Sequence, residues 1–359
     1  MNKPVILVDG HVLDGKPQGS GAYLAGLYNE VARQDLIRVM VACHDEASLS
    51  RWYPNAPNIE WVPLKATNKY KRLAFELPGL QARINPSYGH FHYICPLRKT
   101  GPWINTIHDL LFVDHPQHFP LGYRIKNRLL FQLSALRSDI ILTTSNYSRN
   151  TINRHFGIDL DRIHITPAAP DTFTNAKATA ISGLTPQRFL VYVSRFEPRK
   201  NQHALVQAFH SVLDELPQDI QLVLVGYPAL EYPELDKALA EAGDRVIVTS
   251  NLSHEQLTWL YRNAAASIYP SLAEGFGMPV IEAVAAGGIS YCADNTAMSE
   301  LVPSVHGSFD GSDIGAIRET IRRAVAGSDT ACREAVKAKT LKAYSWKASA
   351  EALMRAINV

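Results

Sequence analysis

Apolar runs of four or five residues alternate along this chain with longer stretches whose apolar positions recur every three or four residues. In the first half, residues 5–8, 39–42, 59–62, 103–107 and 140–143 are strand-length runs. Between them, residues 22–33 carry Leu24, Leu27 and Val31 at helical spacing, and residues 123–136 and 148–156 read as further helices. The second half repeats the alternation. Residues 189–193, 222–225, 245–248 and 266–269 are expected strands, and 203–213 is an expected helix. Ser253 reads as the cap of another helix, with Glu255 and Gln256 in its first turn. Runs without polar alternation suit strands buried on both faces. Strands alternating with helices predict parallel sheets covered on both sides, so the expected fold class is α/β.

The alternation weakens once, across residues 167–186. Prolines at 167, 170 and 186 flank a stretch rich in Thr, Ala and Asn there. This predicts two Rossmann-like domains, 1–170 and 171–345, followed by a last helix over 346–359 that Ser345 would cap. A chain of 359 residues is long for a single core. Cys43, Cys95, Cys292 and Cys332 have no paired spacing, which fits reduced thiols better than a disulfide frame or a zinc site. Lys3 and Pro4 lead directly into a strand, and no run approaches 18 apolar residues, so neither a signal peptide nor a membrane span is expected. A cytoplasmic location follows. The net charge of +2 conceals an asymmetry. Residues 1–170 carry 19 Lys and Arg against 13 Asp and Glu, whereas residues 171–359 carry 17 against 21. The basic half either meets something anionic or reflects ordinary unevenness between domains.

The segment 271–287 holds the clearest chemistry. Glu274-Gly275-Phe276-Gly277-Met278-Pro279 is too glycine-rich for a helix interior, and Pro279 suits a helix start. Residues 280–286 then form a helix that Gly287-Gly288 ends. A glycine loop opening a helix presents free N–H groups and a positive dipole end to an anion. Glu282 lies one turn in, able to meet hydroxyl groups, and Glu274 stands in the loop. One carboxylate on either side of a phosphate cradle suggests a sugar nucleotide. The plainer alternative is a tight turn followed by a glutamate that complements the dipole.

Glu274 and Glu282 bracket seven residues, and this segment resembles the E-x7-E signature of retaining glycosyltransferases of family 4, which have the GT-B fold. Three further elements occur in family order. Gln18-Gly19-Ser20-Gly21 resembles the family's glycine loop, Thr106-Ile107-His108-Asp109-Leu110 its I-H-D-L element, and Arg195-Phe196-Glu197-Pro198-Arg199-Lys200-Asn201 its R-x-E-x-R-K-N segment. The resemblance implies two Rossmann-like domains whose parallel sheets face across a cleft, with the last helix packing back on the first domain. It assigns acceptor binding to the first domain and nucleotide-sugar binding to the second.

By this resemblance Glu282 binds ribose hydroxyls, Glu274 the transferred sugar, and His108 the donor sugar near its reacting carbon, with Asp109 shaping that pocket. Arg195 and Lys200 neutralise the leaving diphosphate, helped by the N–H groups of Phe276, Gly277 and Met278 and by Gly19, Ser20 and Gly21. For Arg195 and Lys200 the plainer alternative is solvated charge, since Glu197 and Arg199 show the segment to be charge-rich. Leu252 matches a position that packs on the base. No cofactor or metal is expected; there is no D-x-D, and the histidines lack ligand spacing. Two departures stand out. Gly287-Gly288-Ile289-Ser290-Tyr291 lacks the family's proline, which predicts a looser loop, and Ala22 replaces a frequent arginine.

The function expected is retaining transfer of a hexose from a nucleotide-sugar donor to a glycan or lipid-linked glycan, with GDP-mannose the leading donor. Rhamnosyl, fucosyl or glucosyl donors, a small-solute acceptor, a same-fold epimerase, and a non-catalytic sugar-binding or interaction protein are the alternatives. Nucleic acid is not an expected partner. Residues 123–137, and a second cluster of Lys65, Lys69, Lys71 and Arg72 with Tyr70, form basic stretches. They fit either a solvated face or peripheral contact with an anionic membrane at its inner face.

Overall fold

The computed structural model describes residues 3–15 and 19–359, so Gln18 of the glycine element lies outside the described residues. Among the described residues thirteen strands form two sheets. The first contains β1 (Val5–Asp9), β2 (Arg38–Cys43), β3 (Ile59–Pro63), β4 (Tyr88–His92), β5 (Trp103–Thr106), β6 (Ile140–Thr143) and β7 (Ile163–Ile165). The second contains β8 (Phe189–Val193), β9 (Gln221–Val225), β10 (Val246–Thr249), β11 (Ala266–Tyr269), β12 (Ser290–Ala293) and β13 (Gly307–Phe309). Spatial order is β3-β2-β1-β4-β5-β6-β7 in one and β10-β9-β8-β11-β12-β13 in the other, every pairing parallel. The α/β architecture with two Rossmann-like sheets is thus as expected. The order of strands reverses once in each sheet, between β1 and β4 and between β8 and β11. In such sheets the ends of those strands leave a crevice where ligands bind.

Two compact units result. One comprises the residues up to Ala168 together with Trp346–Val359, and the other Ala169–Ser345. In the first, Leu7, Phe91 and Trp103 are buried with Leu77 and Val62 on one sheet face, and Ile107, Ile141 and Phe131 pack on the other. The helix Trp346–Ala356 belongs to this unit because its indole lies flat on Gly26 of the helix Gly19–Gln34. A Cβ at Gly26 would come within 2.1 Å of the ring. Ser349 Oγ also donates to the Pro167 carbonyl at 2.7 Å. In the second unit, Phe189, Val191, Val223, Leu260 and Ala283 form a continuous apolar layer.

Three expectations need correction. The composition of 167–186 reads as a linker, yet Phe173 is buried, stacks on His254 at 4.4 Å, and is joined on the core by Ile181 and Leu184. The segment is part of the second unit's packing. Gly19, Ser20 and Gly21 form the first turn of the helix Gly19–Gln34, not a loop. A Cβ on Gly21 would lie 2.8 Å from the Val12 carbonyl oxygen, so the glycine permits close approach there. The Gly287-Gly288 turn is tight, not loose. Gly287 N and Gly288 N donate to the carbonyls of Val284 and Ala283 at 2.9 Å each, and a Cβ on Gly288 would meet the Tyr261 carbonyl at 2.1 Å.

Candidate active site

The residues following β8 and β11, the two strands at the reversal of the second sheet, are sewn together. Leu272 N donates to the Arg199 carbonyl at 2.8 Å. Tyr192, at the end of β8, donates to the Lys200 carbonyl at 2.7 Å and lies 2.9 Å from Ser271 Oγ. Asn201 adopts the left-handed conformation, φ 59°, and its amide donates to the carbonyls of Pro270 and Gly311 at 3.2 and 2.7 Å. Asparagine tolerates that backbone better than most residues and supplies the two donors.

This stitching brings Lys200 and Glu274 into direct ion-pair contact, both side chains nearly buried. Arg199 Nη1 reaches the other Glu274 oxygen at 3.2 Å, and its Nη2 meets Glu197 at 2.6 Å. Burial alone would raise the Glu274 pKa; the Lys200 and Arg199 charges outweigh it and hold the carboxyl at about 2. Lys200 is shifted downward by burial, with Arg199 adding repulsion. Arg199 and Glu197 are therefore specific partners and not signs of a segment merely rich in charge. Arg195 differs: its side chain is 55% exposed and its nearest carboxylate, Glu197, is 3.7 Å away.

Past Glu274 the chain turns at Gly277, φ 106°, which is the N-cap of the helix Met278–Ala285 and makes no side-chain cap bond. The N–H groups of Gly277 and Met278 have no intrahelical acceptor, Pro279 has no N–H, and Val280 N donates to the Gly277 carbonyl at 3.1 Å. Phe276 is buried against Tyr344, ring centroids 5.6 Å apart. Glu282 lies in the second turn of this helix, where burial pushes its pKa up to about 7, and Tyr261 donates to it at 3.2 Å. Leu252, half-buried, packs on the unit's core beside the Ser253 capping box.

In the first unit, His108 follows β5. Burial pushes its pKa down to about 4, so the ring is neutral at pH 7. Tyr23 meets it edge-on at 4.7 Å, and its buried Nε2 has no hydrogen-bond partner among the described residues. Its carbonyl accepts from Thr144 Oγ1 at 3.3 Å. Asp109 Oδ1 accepts from Leu111 N at 3.2 Å, a turn-forming contact. Gly19 and Ser20 open the helix that carries Tyr23.

Two further candidate residues escaped the sequence reading. His92, ending β4, is buried with both ring nitrogens unpartnered among the described residues, stacked between His90 at 5.2 Å and His108 at 6.2 Å. Asp9, ending β1, pairs with His11 at 3.0 Å and Arg72 at 3.6 Å. The available signal was position: each lies at the carboxyl end of a strand flanking the first sheet's reversal. Among the described residues no group of three His, Cys, Asp or Glu is placed to hold a metal ion.

Comparison with known proteins shows the family and the fold. The family model described as "Glycosyl transferases group 1" matches residues 176–356, and that described as "Glycosyltransferase Family 4" matches residues 17–172. The chain is 30% identical over 262 residues to O-antigen chain mannosyltransferase B of Escherichia coli, covering 68% of this chain and 67% of that one. It is 27% identical over 263 residues to the serotype-specific mannosyltransferase WbdA of E. coli, but spans only 32% of that protein. D-inositol 3-phosphate glycosyltransferase of Mycolicibacterium smegmatis is 30% identical over 224 residues, 60% of this chain and 49% of that one. Sucrose-phosphate synthase of Thermosynechococcus elongatus shares the fold, with TM-score 0.78 at 18% identity over 99% of this chain and 98% of that one.

Proposed function

Since the chain belongs to the glycosyl transferases group 1 family, with a family 4 domain ahead of it, and is a glycosyltransferase, we propose that it moves mannose from GDP-mannose to a glycan, with retention at the anomeric carbon. The observation that carries the donor and acceptor classes is the 30% identity with an O-antigen chain mannosyltransferase over two thirds of both chains. A lipid-linked glycan in surface polysaccharide synthesis is the acceptor in this reading. The inositol-phosphate relatives favour a second reading, a small phosphorylated acceptor.

The residue roles follow the charges. Arg195, open to solvent, and Lys200 face the diphosphate, and the N–H groups at Phe276, Gly277 and Met278 complete its cradle. Because Glu274 neutralises Lys200 in the free protein, donor binding exchanges part of that ion pair for phosphate contacts and frees Glu274 for sugar hydroxyls. Glu282 accepts from the ribose hydroxyls, Leu252 packs on the base, and the first turn at Gly19, Ser20 and Gly21 approaches the diphosphate. His108, neutral, offers its unpartnered Nε2 to the donor sugar, and Asp109 shapes that pocket. In the reaction the C1–O bond to phosphate breaks with its electron pair leaving on the phosphate. The acceptor oxygen bonds C1 on the same face, and its proton passes to the departing phosphate oxygen. No metal is required in this scheme, since side-chain cations and a helix N-terminus meet the developing charge.

Product analysis tests it. GDP-mannose and a polysaccharide-primer acceptor should give an α-linked mannoside, α being the configuration of the donor, with activity kept in excess chelator. A β-linked product would remove retention. Transfer only to an inositol phosphate would select the second reading. Turnover of UDP-, ADP- or dTDP-sugars alone would replace the donor.

A further inference from the structure

The helix Leu121–Arg137 is mounted with an apolar stripe facing outward. Its buried face consists of Asn127, Phe131, Ser134 and Ala135. On the opposite side stand Leu121, Ile125, Leu129, Leu133 and Leu136, spaced four, four, four and three apart and 48–64% exposed. Single exposed leucines are ordinary on a soluble protein; an unbroken row along about four turns is not.

Positive charge predominates around the stripe. Arg124, Lys126, Arg128 and Arg137 flank it, and the helix contains no acidic residue. Lys126 Nζ donates to Tyr70 Oη at 3.1 Å, and Arg137 Nη1 donates to the Leu97 carbonyl at 3.0 Å. These bonds bring two more exposed apolar groups alongside, Tyr70 and Leu97. Leu97 N in turn donates to the Leu73 carbonyl at 3.1 Å, joining the segment that presents Phe75 at 77% exposure. Lys69, Lys71 and Arg98 are exposed in the same two segments, whereas Lys99 is paired with Asp139 at 2.7 Å. At the start of the helix a cavity of about 120 Å³ lies between Arg124 and Arg128 over Phe112 and Val113.

We propose that this face docks on the anionic surface of a phospholipid bilayer, the leucine stripe entering the acyl boundary and the cations meeting lipid phosphates. A flat helix with a leucine face, cationic edges and adjoining aromatics is the geometry of an interfacial helix. Long Arg and Lys stems extend along the apolar surface while their charges reach the phosphate layer. A protein interface fits less well, because such interfaces are depleted in Lys relative to the rest of the surface, whereas Lys69, Lys71 and Lys126 stand beside this stripe. Among the described residues no helix is long and apolar enough to cross a membrane, so this contact is a surface one. It does not depend on which sugar or acceptor the enzyme uses.

The test is co-sedimentation of the full-length protein with phosphatidylcholine vesicles, with and without about 30% phosphatidylglycerol, at roughly 0.1 M salt. Partitioning onto the anionic vesicles should exceed that onto neutral ones about tenfold or more and fall several-fold at about 0.5 M salt. Leu129→Glu/Leu133→Glu should lower it about tenfold or more, with the unfolding midpoint and nucleotide binding unchanged, because both side chains are exposed and lie outside the nucleotide site. Arg124→Gln/Arg128→Gln should weaken binding and flatten its salt dependence. Absence of anionic-vesicle binding, or binding unaffected by the leucine pair, overturns the proposal. Self-association abolished by the leucine pair, with no vesicle binding, overturns it in favour of a second copy of the chain.

Discussion

Glu274 and Glu282, with seven residues between them, are held in opposite ionisation states. Lys200 and Arg199 keep Glu274 ionised down to about pH 2 despite its burial, whereas Glu282, buried beside a tyrosine hydroxyl and no cation, stays protonated up to about pH 7. The folded protein retains the Glu282 proton where the unfolded chain, with a pKa near 4.5, gives it up. Its contribution to stability is thus full below about pH 4.5 and is lost as pH rises through 7. Glu282→Gln, neutral throughout, should unfold in urea with roughly 1–3 kcal/mol more stability than wild type at about pH 8 and little difference at about pH 4.5. Nucleotide affinity by calorimetry should tighten in wild type between pH 6 and about 8, as the carboxylate becomes a full acceptor, and should lose that dependence in the variant. Glu274 works with the opposite sign: its stabilisation is present above about pH 4.5 and lost as pH falls through 2. Glu274→Gln strands the buried Lys200 cation, while Arg199 keeps Glu197, and should cost about 3 kcal/mol. Glu274→Gln/Lys200→Met should recover part of that loss in denaturant unfolding without recovering transfer activity; strictly additive losses would show that the pair is not coupled.

At the scale of elements, legibility followed hydrophobicity. Strands such as Phe189–Val193 are apolar throughout and were read directly. Tyr88–His92 was not, since glycine and two histidines disguise a strand that is almost entirely buried. What makes it tolerable inside is tertiary: His90 lies 2.6 Å from Tyr28 Oη and 2.7 Å from Thr106 Oγ1, partners 62 and 16 residues away. The short edge strands Ile163–Ile165 and Gly307–Phe309 have too few residues to show a period. The Gly287-Gly288 turn escaped for a related reason, because a missing proline says nothing about a neighbouring backbone. Gly288→Ala would press a methyl group into the Tyr261 carbonyl and should cost about 2–4 kcal/mol by chemical denaturation. It should also weaken nucleotide binding, since Tyr261 carries the hydrogen bond to Glu282.

For the whole molecule, the chain leaves the first unit at Ala168 and returns to it at Trp346, so the unit's packing is completed only by the last helix. Removal of residues 346–359 should lower the melting of the first unit and leave the second nearly unchanged, giving separated transitions in calorimetry. GDP at about 100 times its dissociation constant should add roughly 2.7 kcal/mol to the second unit's transition in wild type and less in Glu282→Gln. Equal nucleotide response in both would count against the ribose assignment. The sequence by itself determined the α/β alternation, the number of sheets and the clustering of polar motifs just after strands, because these depend on local period and on the placement of glycine and proline. It did not determine which charges neutralise one another or which way the helix Leu121–Arg137 faces. Its leucine stripe would ordinarily predict an inward face. The smaller opposite face of Asn127, Phe131, Ser134 and Ala135 is the one the core accepts. Arg199 and Glu274, 75 residues apart, meet only because β8 and β11 are neighbours in the sheet. Ionisation, pairing and orientation are properties of what surrounds a residue in space, and only the folded chain supplies those surroundings.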